Sequence, residues 1–285
     1  MIIVKLQGGL GNQMFQYALG RNLSLIHNAS LKIDYSYLKT PNQSGRVFQL
    51  DGFQIKTTEA TEKEIKSYTG TFQKILDRFR PSSRKKHIKE SFERFNPELL
   101  ERSDGYFDGH WQNEKYFKDN EKIIRNDFIL KNPLGTEAQK IAMKISSEES
   151  PVSLHIRRGD YVVIKKIADI HGTLPLSYYE KACGIIMEKA PDTHFFISSD
   201  DIAWAKENFP KKYPATFVSS PEIKAHEELA LMSLCKYNII ANSTFGWWGA
   251  WLNKNPDKIV IAPTKWFNRP AQTFAEILPE TWLKI

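Results

Sequence analysis

From residue 152 onward, short apolar runs alternate with segments of helical period, and this rhythm constrains the fold more than any other feature of the chain. Val152 to Ile156, Thr193 to Ser198, Ala215 to Val218, Tyr237 to Ala241 and Lys258 to Ala262 read as strands. Leu176 to Lys189, Ile202 to Asn208, Glu227 to Cys235 and Thr244 to Leu252 read as helices between and beside them. Strands alternating with helix-length segments at this spacing argue for a parallel, doubly wound α/β sheet. The N-terminus opens the same way. Ile2 to Leu6 is a short buried strand, Gln7 to Gln13 a turn-rich loop, and Met14 to Leu25 a helix with Met14, Tyr17, Ala18, Arg21 and Leu25 at helical spacing. Glu148-Glu149-Ser150-Pro151 ends a polar stretch at a proline just before a strand. The expected division is therefore an N-terminal α/β half over 1–150 and a C-terminal Rossmann-like half over 151–285, with a ligand cleft between them. The last helix is expected to pack back on the first half. Between about 40 and 105 the chain is rich in Lys, Glu, Ser and Thr, and helices with long loops are expected there.

Four segments carry residue types suited to chemistry. His155-Ile156-Arg157-Arg158-Gly159-Asp160 follows a strand, where ligands bind in open α/β sheets. Two guanidinium forks match the geometry of phosphate, and the glycine lets backbone come close. Asp160 would clamp an arginine or contact a sugar hydroxyl, and the plain alternative is a surface ion pair. Gly8-Gly9-Leu10-Gly11-Asn12-Gln13 lacks both the G-x-G-x-x-G spacing and the lysine of a P-loop. It is either an ordinary strand-to-helix turn or a loop whose Gly9, Gly11, Asn12 and Gln13 meet a sugar or phosphate near a helix N-terminus. Ser198-Ser199-Asp200-Asp201 also follows a strand, and it either caps the next helix or reads a nucleoside. Asn242-Ser243-Thr244-Phe245-Gly246-Trp247-Trp248-Gly249-Ala250-Trp251 places amides, hydroxyls and aromatics at another strand-to-helix junction. Trp251 is assigned to the core, whereas Asn242, Ser243, Thr244, Phe245 and Trp247 are candidate ligand contacts. No D-x-D occurs, and the histidines have no ligand spacing, so no metal site is expected.

The formal net charge of +7 selects anionic partners without choosing among nucleic acid, anionic membrane and phosphorylated small molecules. Part of the excess is local, at Arg78, Arg80, Arg84, Lys85, Lys86, His87 and Lys89: a solvated face, or a membrane-surface contact. No nucleic-acid module is recognisable. The two cysteines, Cys183 and Cys235, are far apart and inside helical patterns, which argues against a disulfide scaffold. Met1 to Leu6 is too short for a signal segment and no apolar stretch reaches the roughly 18 to 20 residues of a span. The expected location is cytoplasmic, with peripheral contact to the inner membrane as the role open to the basic run.

The ordered set of segments resembles glycosyltransferase family 11, the bacterial α-1,2-fucosyltransferases. The resemblance runs from Gly8–Tyr17 through Phe107–Gln112, Lys115–Phe117, His155–Tyr161 and Ser198–Asp201 to Asn242–Trp248. It implies a GT-B fold and inverting transfer of fucose from GDP-fucose to a galactose hydroxyl, with no required cofactor or metal. By similarity, Arg157 and Arg158 would contact the donor diphosphate, with Asp160 beside them in the catalytic set. His155 and Ser198 to Asp201 would lie near the nucleotide, and the Asn12 loop near the fucose or its phosphate. The N-terminal half would be the acceptor side. Asp160, Asp200, His155 and His171 are the candidates for a base, unranked. Thr244 and Gly246 depart from the serines of many relatives. The alternatives are a fucosyltransferase of different linkage, such as α-1,6, and a non-catalytic carbohydrate- or nucleic-acid-binding protein.

Overall fold

The computed structural model describes residues 1–39, 45–90, 94–268 and 276–285. The chain forms two compact units, Met1–Lys131 with Ala275–Ile277, and Asn132–Phe274 with Leu278–Ile285.

The first unit is built on a sheet of five described strands, β1 (Ile2–Lys5), β2 (Leu31–Asp34), β3 (Thr58–Glu59), β4 (His87–Lys89) and β5 (Gly105–Asp108). Their order is β3-β2-β1-β5-β4, with every pair parallel. Ile2, Ile3 and Val4 in the central strand are fully buried, as expected of an apolar run covered on both faces. Helix Leu10–His27 lies against β1 and β2, and Gly20 sets how close it comes. A Cβ at Gly20 would stand 2.4 Å from Val4 Cγ2 and 2.8 Å from Leu31 Cδ1. The helix stops at Asn28, whose φ of 47° is the left-handed conformation that asparagine tolerates, with its N–H donating to Ser24 O.

The stretch expected to hold helices and long loops does contain helices, Glu62–Thr69 and Thr71–Phe79, but also β3 and β4. Thr58-Glu59 and His87-Ile88-Lys89 carry too few apolar residues to show a strand period. They are edge strands, where one-sided pairing tolerates polar residues. Residues 40–44 and 91–93 of that stretch lie outside the described ones.

The second unit holds six described strands, β6 (Ser150–Ile156), β7 (Thr193–Ser199), β8 (Ala215–Phe217), β9 (Tyr237–Ile239), β10 (Val260–Ala262) and β11 (Leu283–Lys284). The order is β11-β10-β9-β6-β7-β8, again parallel throughout. The expected alternation and parallel pairing are what the chain forms. Helix Leu176–Lys189 packs Tyr178, Tyr179, Ala182, Cys183 and Ile186 onto the apolar residues of the central strands. Both cysteines are buried free thiols.

The expected boundary at 150/151 falls inside this unit. Helix Thr136–Ser147 buries Ala138 and Ile145 against Phe196, Val218 and Leu231, and Gly135 N donates to Glu227 Oε1 at 2.6 Å. Glu148 and Glu149 join that helix to β6, which already includes Ser150 and Pro151, so the stretch is not a linker. No described helix follows Thr244–Leu252, and residues 269–275 lie outside the described ones.

In the second sheet the chain runs outward from β6 to β8, then crosses back to β9 and on to β10, so the reversal lies between β6 and β9. In the first sheet it lies between β1 and β5. The strand ends at such reversals are where open α/β sheets hold ligands.

Gly20→Val is expected to destabilise the chain by about 1–3 kcal/mol through overpacking against β1 and β2. Thermal melting measures it, and an unchanged midpoint would show that the helix has room to move.

Candidate functional site

The register of β6 on β7 pairs His155 with Ser198 and Ile156 with Ser199, and β6 on β9 pairs Leu154 with Ile239. Backbone pairing alone therefore brings three sequence-distant segments to one sheet edge: Arg157–Asp160 after β6, Asp200–Asp201 after β7, and Asn242–Phe245 after β9.

Arginines and aspartates there form one bonded cluster. Arg157 Nη2 donates to Asp160 Oδ1 at 2.5 Å, and Arg157 Nη1 meets Asp200 Oδ2 at 2.9 Å. Asp200 Oδ1 accepts from the backbone N–H of Arg158 at 2.8 Å. Arg158 stacks its guanidinium 3.8 Å over the ring of Trp204 and reaches Asp201 Oδ2 through Nε at 3.4 Å. Asp201 Oδ1 in turn caps helix Ile202–Asn208 by accepting from Trp204 N at 3.2 Å. Stacking occupies one face of the Arg158 guanidinium, and its two terminal nitrogens make no hydrogen bond to a described residue. A planar donor edge fixed in this way suits a phosphate oxygen pair. Gly159 permits the cluster, since a Cβ there would lie 2.3 Å from Asp200 Oδ2.

Behind the arginines, His155 is 3% exposed. Burial, and then the neighbouring Arg157 charge, push its imidazole down to about 3. A ring that resists protonation this strongly is a poor base near neutrality, which removes His155 from the base candidates. Helix Thr244–Leu252 comes so close that a Cβ on Gly246 would stand 2.8 Å from His155 Nδ1, and Phe245 packs its ring 5.7 Å from the imidazole. A serine at 246 would need the imidazole to give way.

Several candidates prove to hold the site rather than to line it. Asn242 is buried, and its Nδ2 donates to the carbonyls of His171, Gly172 and Trp266 at 3.0 to 3.2 Å. Tyr161 Oη donates to Asn242 O at 3.1 Å while its ring stacks on His171 at 4.7 Å. His171, the other histidine among the base candidates, is thus part of an aromatic stack that continues to Phe267. Ser243 caps helix Thr244–Leu252, accepting from Phe245 N at 3.3 Å. Thr244 and Phe245, half-buried, open that helix. Trp247 corrects the expectation: it is 0% exposed, stacked on Trp251 at 6.0 Å and packed on Trp248 and Trp282. A helix apolar on every face sinks into the core instead of offering its indoles to a ligand. Ser198 and Ser199 are likewise buried, with Ser199 N donating to Ser219 Oγ at 2.8 Å and Ser199 Oγ accepting from Asp201 N at 3.0 Å.

The first unit brings Gly9, Gly11, Asn12 and Gln13 to the β1/β5 reversal. Gly8 is left-handed at φ 77°, and a Cβ there would strike Asn12 Nδ2 at 2.4 Å. Gly9 precedes the helix with the Arg46 guanidinium beside it, and Gly11 is buried in its first turn. Asn12 Oδ1 accepts from Gln112 Nε2 at 2.9 Å. Gln13 is fully buried, its amide bonded to Gly8 O, Val47 O and Gln49 N, so it fastens the 47–49 segment and presents no free amide. Gln16 ties the two strand-end loops together, accepting from Gln7 N and donating to Gly109 O, each at 3.0 Å.

Sequence reasoning missed four participants. Glu90 accepts from His110 N at 2.6 Å and Trp111 N at 3.0 Å, and Trp111 sits at φ 55°, a strained conformation for a bulky residue. Ser219 donates to Glu228 Oε1 at 3.0 Å, and burial pushes the Glu228 carboxyl up to about 7. Trp204 was assigned only to a helix. None of these lies in a strand-end motif, so only tertiary contacts reveal them.

The sequence profile of glycosyl transferase family 11 matches residues 1–285. An α-1,2-colitosyltransferase of Escherichia coli is 36% identical, with 100% of this chain and 99% of that protein covered. The O-antigen biosynthesis glycosyltransferase WbnK of Escherichia coli is 33% identical over 98% of this chain and 99% of its own. Among solved structures, the NodZ α-1,6-fucosyltransferase soaked with GDP-fucose aligns with a TM-score of 0.50 at 14% identity, covering 88% of this chain and 91% of that one. At that identity the likeness is one of fold.

The collision at Gly159 yields a coupled test. Gly159→Ala should lower the melting midpoint by an amount worth about 1–2 kcal/mol, and should be nearly neutral in an Asp200→Ala background, where the struck carboxylate is gone. Additive effects would contradict the close packing of Gly159 on Asp200.

Proposed function

The chain belongs to glycosyltransferase family 11, and from that membership we propose that it transfers L-fucose from GDP-β-L-fucose to a galactose hydroxyl of a glycan, inverting the donor linkage to α-1,2. The observation that carries this reading is the Arg157–Arg158 pair at the β6/β9 reversal, with its guanidiniums fixed by Asp160, Asp200, Asp201 and Trp204. The two parallel α/β units are read as the halves of a GT-B fold.

Transfer of this kind develops an oxocarbenium-like sugar and negative charge on the departing GDP. Fixed cations placed before the reaction stabilise that charge without reorganising. In this reading the Arg158 edge and Arg157 take the diphosphate, and the N-terminus of helix Thr244–Leu252 adds its dipole. No metal is needed for that electrostatic role. Asp160 and Asp200 are engaged in ion pairs, so they act by orienting Arg157, and the proton of the acceptor hydroxyl passes late to a departing phosphate oxygen. The acceptor is assigned to the first unit, where a cavity of about 360 Å³ is lined by Lys89, Glu90, Arg94, Asn96, Trp111 and Tyr116 among others. Its charged and amide side chains, Lys89, Glu90, Arg94 and Asn96, suit the hydroxyls of a sugar.

The 36% identical colitosyltransferase favours one second reading, in which the donor sugar is colitose, which is fucose without its 3-hydroxyl. A site built to hydrogen-bond that hydroxyl rejects the deoxy sugar strongly, whereas an apolar one does not.

Arg157→Ala and Arg158→Ala are each expected to cut turnover by ~10² to 10³ while the chain still folds cooperatively. Near-full activity in either folded variant would remove the arginines from the reaction. GDP should raise the melting midpoint while bulk RNA does not, and a shift with RNA alone would favour a nucleic-acid-binding protein. Competition between GDP-fucose and GDP-colitose, read by linkage analysis of the product, separates the two donors; an α-1,6 product would overturn the linkage.

A further inference from the structure

Helix Thr71–Phe79 is oriented opposite to a normal surface helix. Phe72, Ile75 and Phe79 are 75%, 53% and 83% exposed. At helical spacing they fall within an arc of about 60°. The buried residue is the acid, Asp77, on the opposite face. Its carboxylate accepts from Lys86 N and His87 N at 2.9 to 3.1 Å, from Gln73 Nε2 at 2.7 Å and from Arg80 at 3.2 Å. The anchor is thus polar, a carboxylate capping the start of edge strand β4, and it turns the apolar face outward. Three large side chains left in water in one stripe mark an interaction surface.

The cations around the stripe choose its partner. Lys74 and Arg78 lie on the same helix, Arg84, Lys85 and Lys89 on the segment that follows, and none of them pairs with a carboxylate among the described residues. The partnered members of the basic run are Arg80 with Asp77, Lys86 with Asp104 and His87 with Asp108. What remains beside the stripe, on the helix itself, is the unneutralised pair Lys74 and Arg78. An apolar protein groove would bury the phenylalanines but leave Lys74 and Arg78 without a role. A bilayer surface with anionic headgroups accommodates both, taking the rings at the acyl boundary and the cations at the phosphates. No described helix is long and apolar enough to cross a membrane, so the contact would lie in the interfacial plane.

We propose that Phe72, Ile75 and Phe79, with Lys74 and Arg78 on the same helix, dock the protein on an anionic phospholipid surface. The stripe is short, so docking is reversible and depends on lipid charge and salt.

Flotation of the full chain with phosphatidylcholine vesicles, with or without phosphatidylglycerol, tests this. The protein should float with the phosphatidylglycerol vesicles, poorly with pure phosphatidylcholine, and less as salt rises. Phe72→Ser with Phe79→Ser should weaken partitioning by about tenfold or more, as expected when two large apolar side chains lose their burial. Lys74→Glu with Arg78→Glu should do likewise, and the midpoint shift with GDP should stay unchanged in both double variants. Failure of the unmodified chain to float, or equal flotation of the serine variant, would overturn the proposal. So would a concentration-dependent dimer in light scattering that the serine variant abolishes without any vesicle binding, since the stripe would then be an interface between copies of the chain.

Discussion

The bonded cluster of Arg157 and Arg158 with Asp160, Asp200 and Asp201 is the constraint around which the second unit is arranged. Two adjacent guanidiniums repel each other, and their side chains have many rotamers. At the edge of a low-dielectric sheet they hold one geometry only if carboxylates fix them. Asp200 takes both the Arg157 side chain and the Arg158 backbone, which couples the end of β7 to the end of β6. The neighbourhood conforms: Gly159 vacates the volume Asp200 occupies, Trp204 offers its face to Arg158, and Tyr161 binds the Asn242 carbonyl after β9. Each contact is ordinary alone, and together they hold a donor edge ready for an anion.

The same cluster explains how much of the site was legible in the residues. Arg157, Arg158 and Asp160 were evident because chemistry and position coincide: phosphate-binding types at the end of an apolar run. The parallel alternation from β6 to β10 was evident because buried parallel strands leave an unmistakable apolar rhythm. What was hidden depends on tertiary partners. Gln13 and Asn242 carry amides like any ligand-binding residue, and only their carbonyl partners show that they are pins. Trp247 stood beside Asn, Ser and Thr in sequence, yet the helix it occupies is apolar all round and sinks into the core. The boundary at 131/132 was obscured because helix Thr136–Ser147 shows a mostly polar surface and buries only a narrow stripe. Edge strands β3 and β4 were silent for the same reason.

The two units place polar groups differently. In the second, half-buried and exposed charges converge on a strand-end cluster. In the first, Asp77 and Glu90 serve backbone: Asp77 caps the start of β4, and Glu90 holds Trp111 in a left-handed turn. Two buried or half-buried acids on either side of β4 stabilise a strand that has little apolar surface of its own. That polar anchoring is also what leaves Phe72, Ile75 and Phe79 facing water. A surface helix held by a carboxylate is free to use its apolar residues elsewhere, which links the architecture of this unit to the membrane contact inferred for it.

The central claim is that Arg157 and Arg158 recognise the diphosphate of the donor. Titration calorimetry of GDP and of guanosine, on the unmodified chain and on Arg157→Ala with Arg158→Ala, isolates that contribution, because the nucleoside is common to both ligands. The account predicts that GDP binds the unmodified chain far more tightly than guanosine and that this preference collapses in the double variant while guanosine binding is retained. An equal preference in both proteins would contradict it.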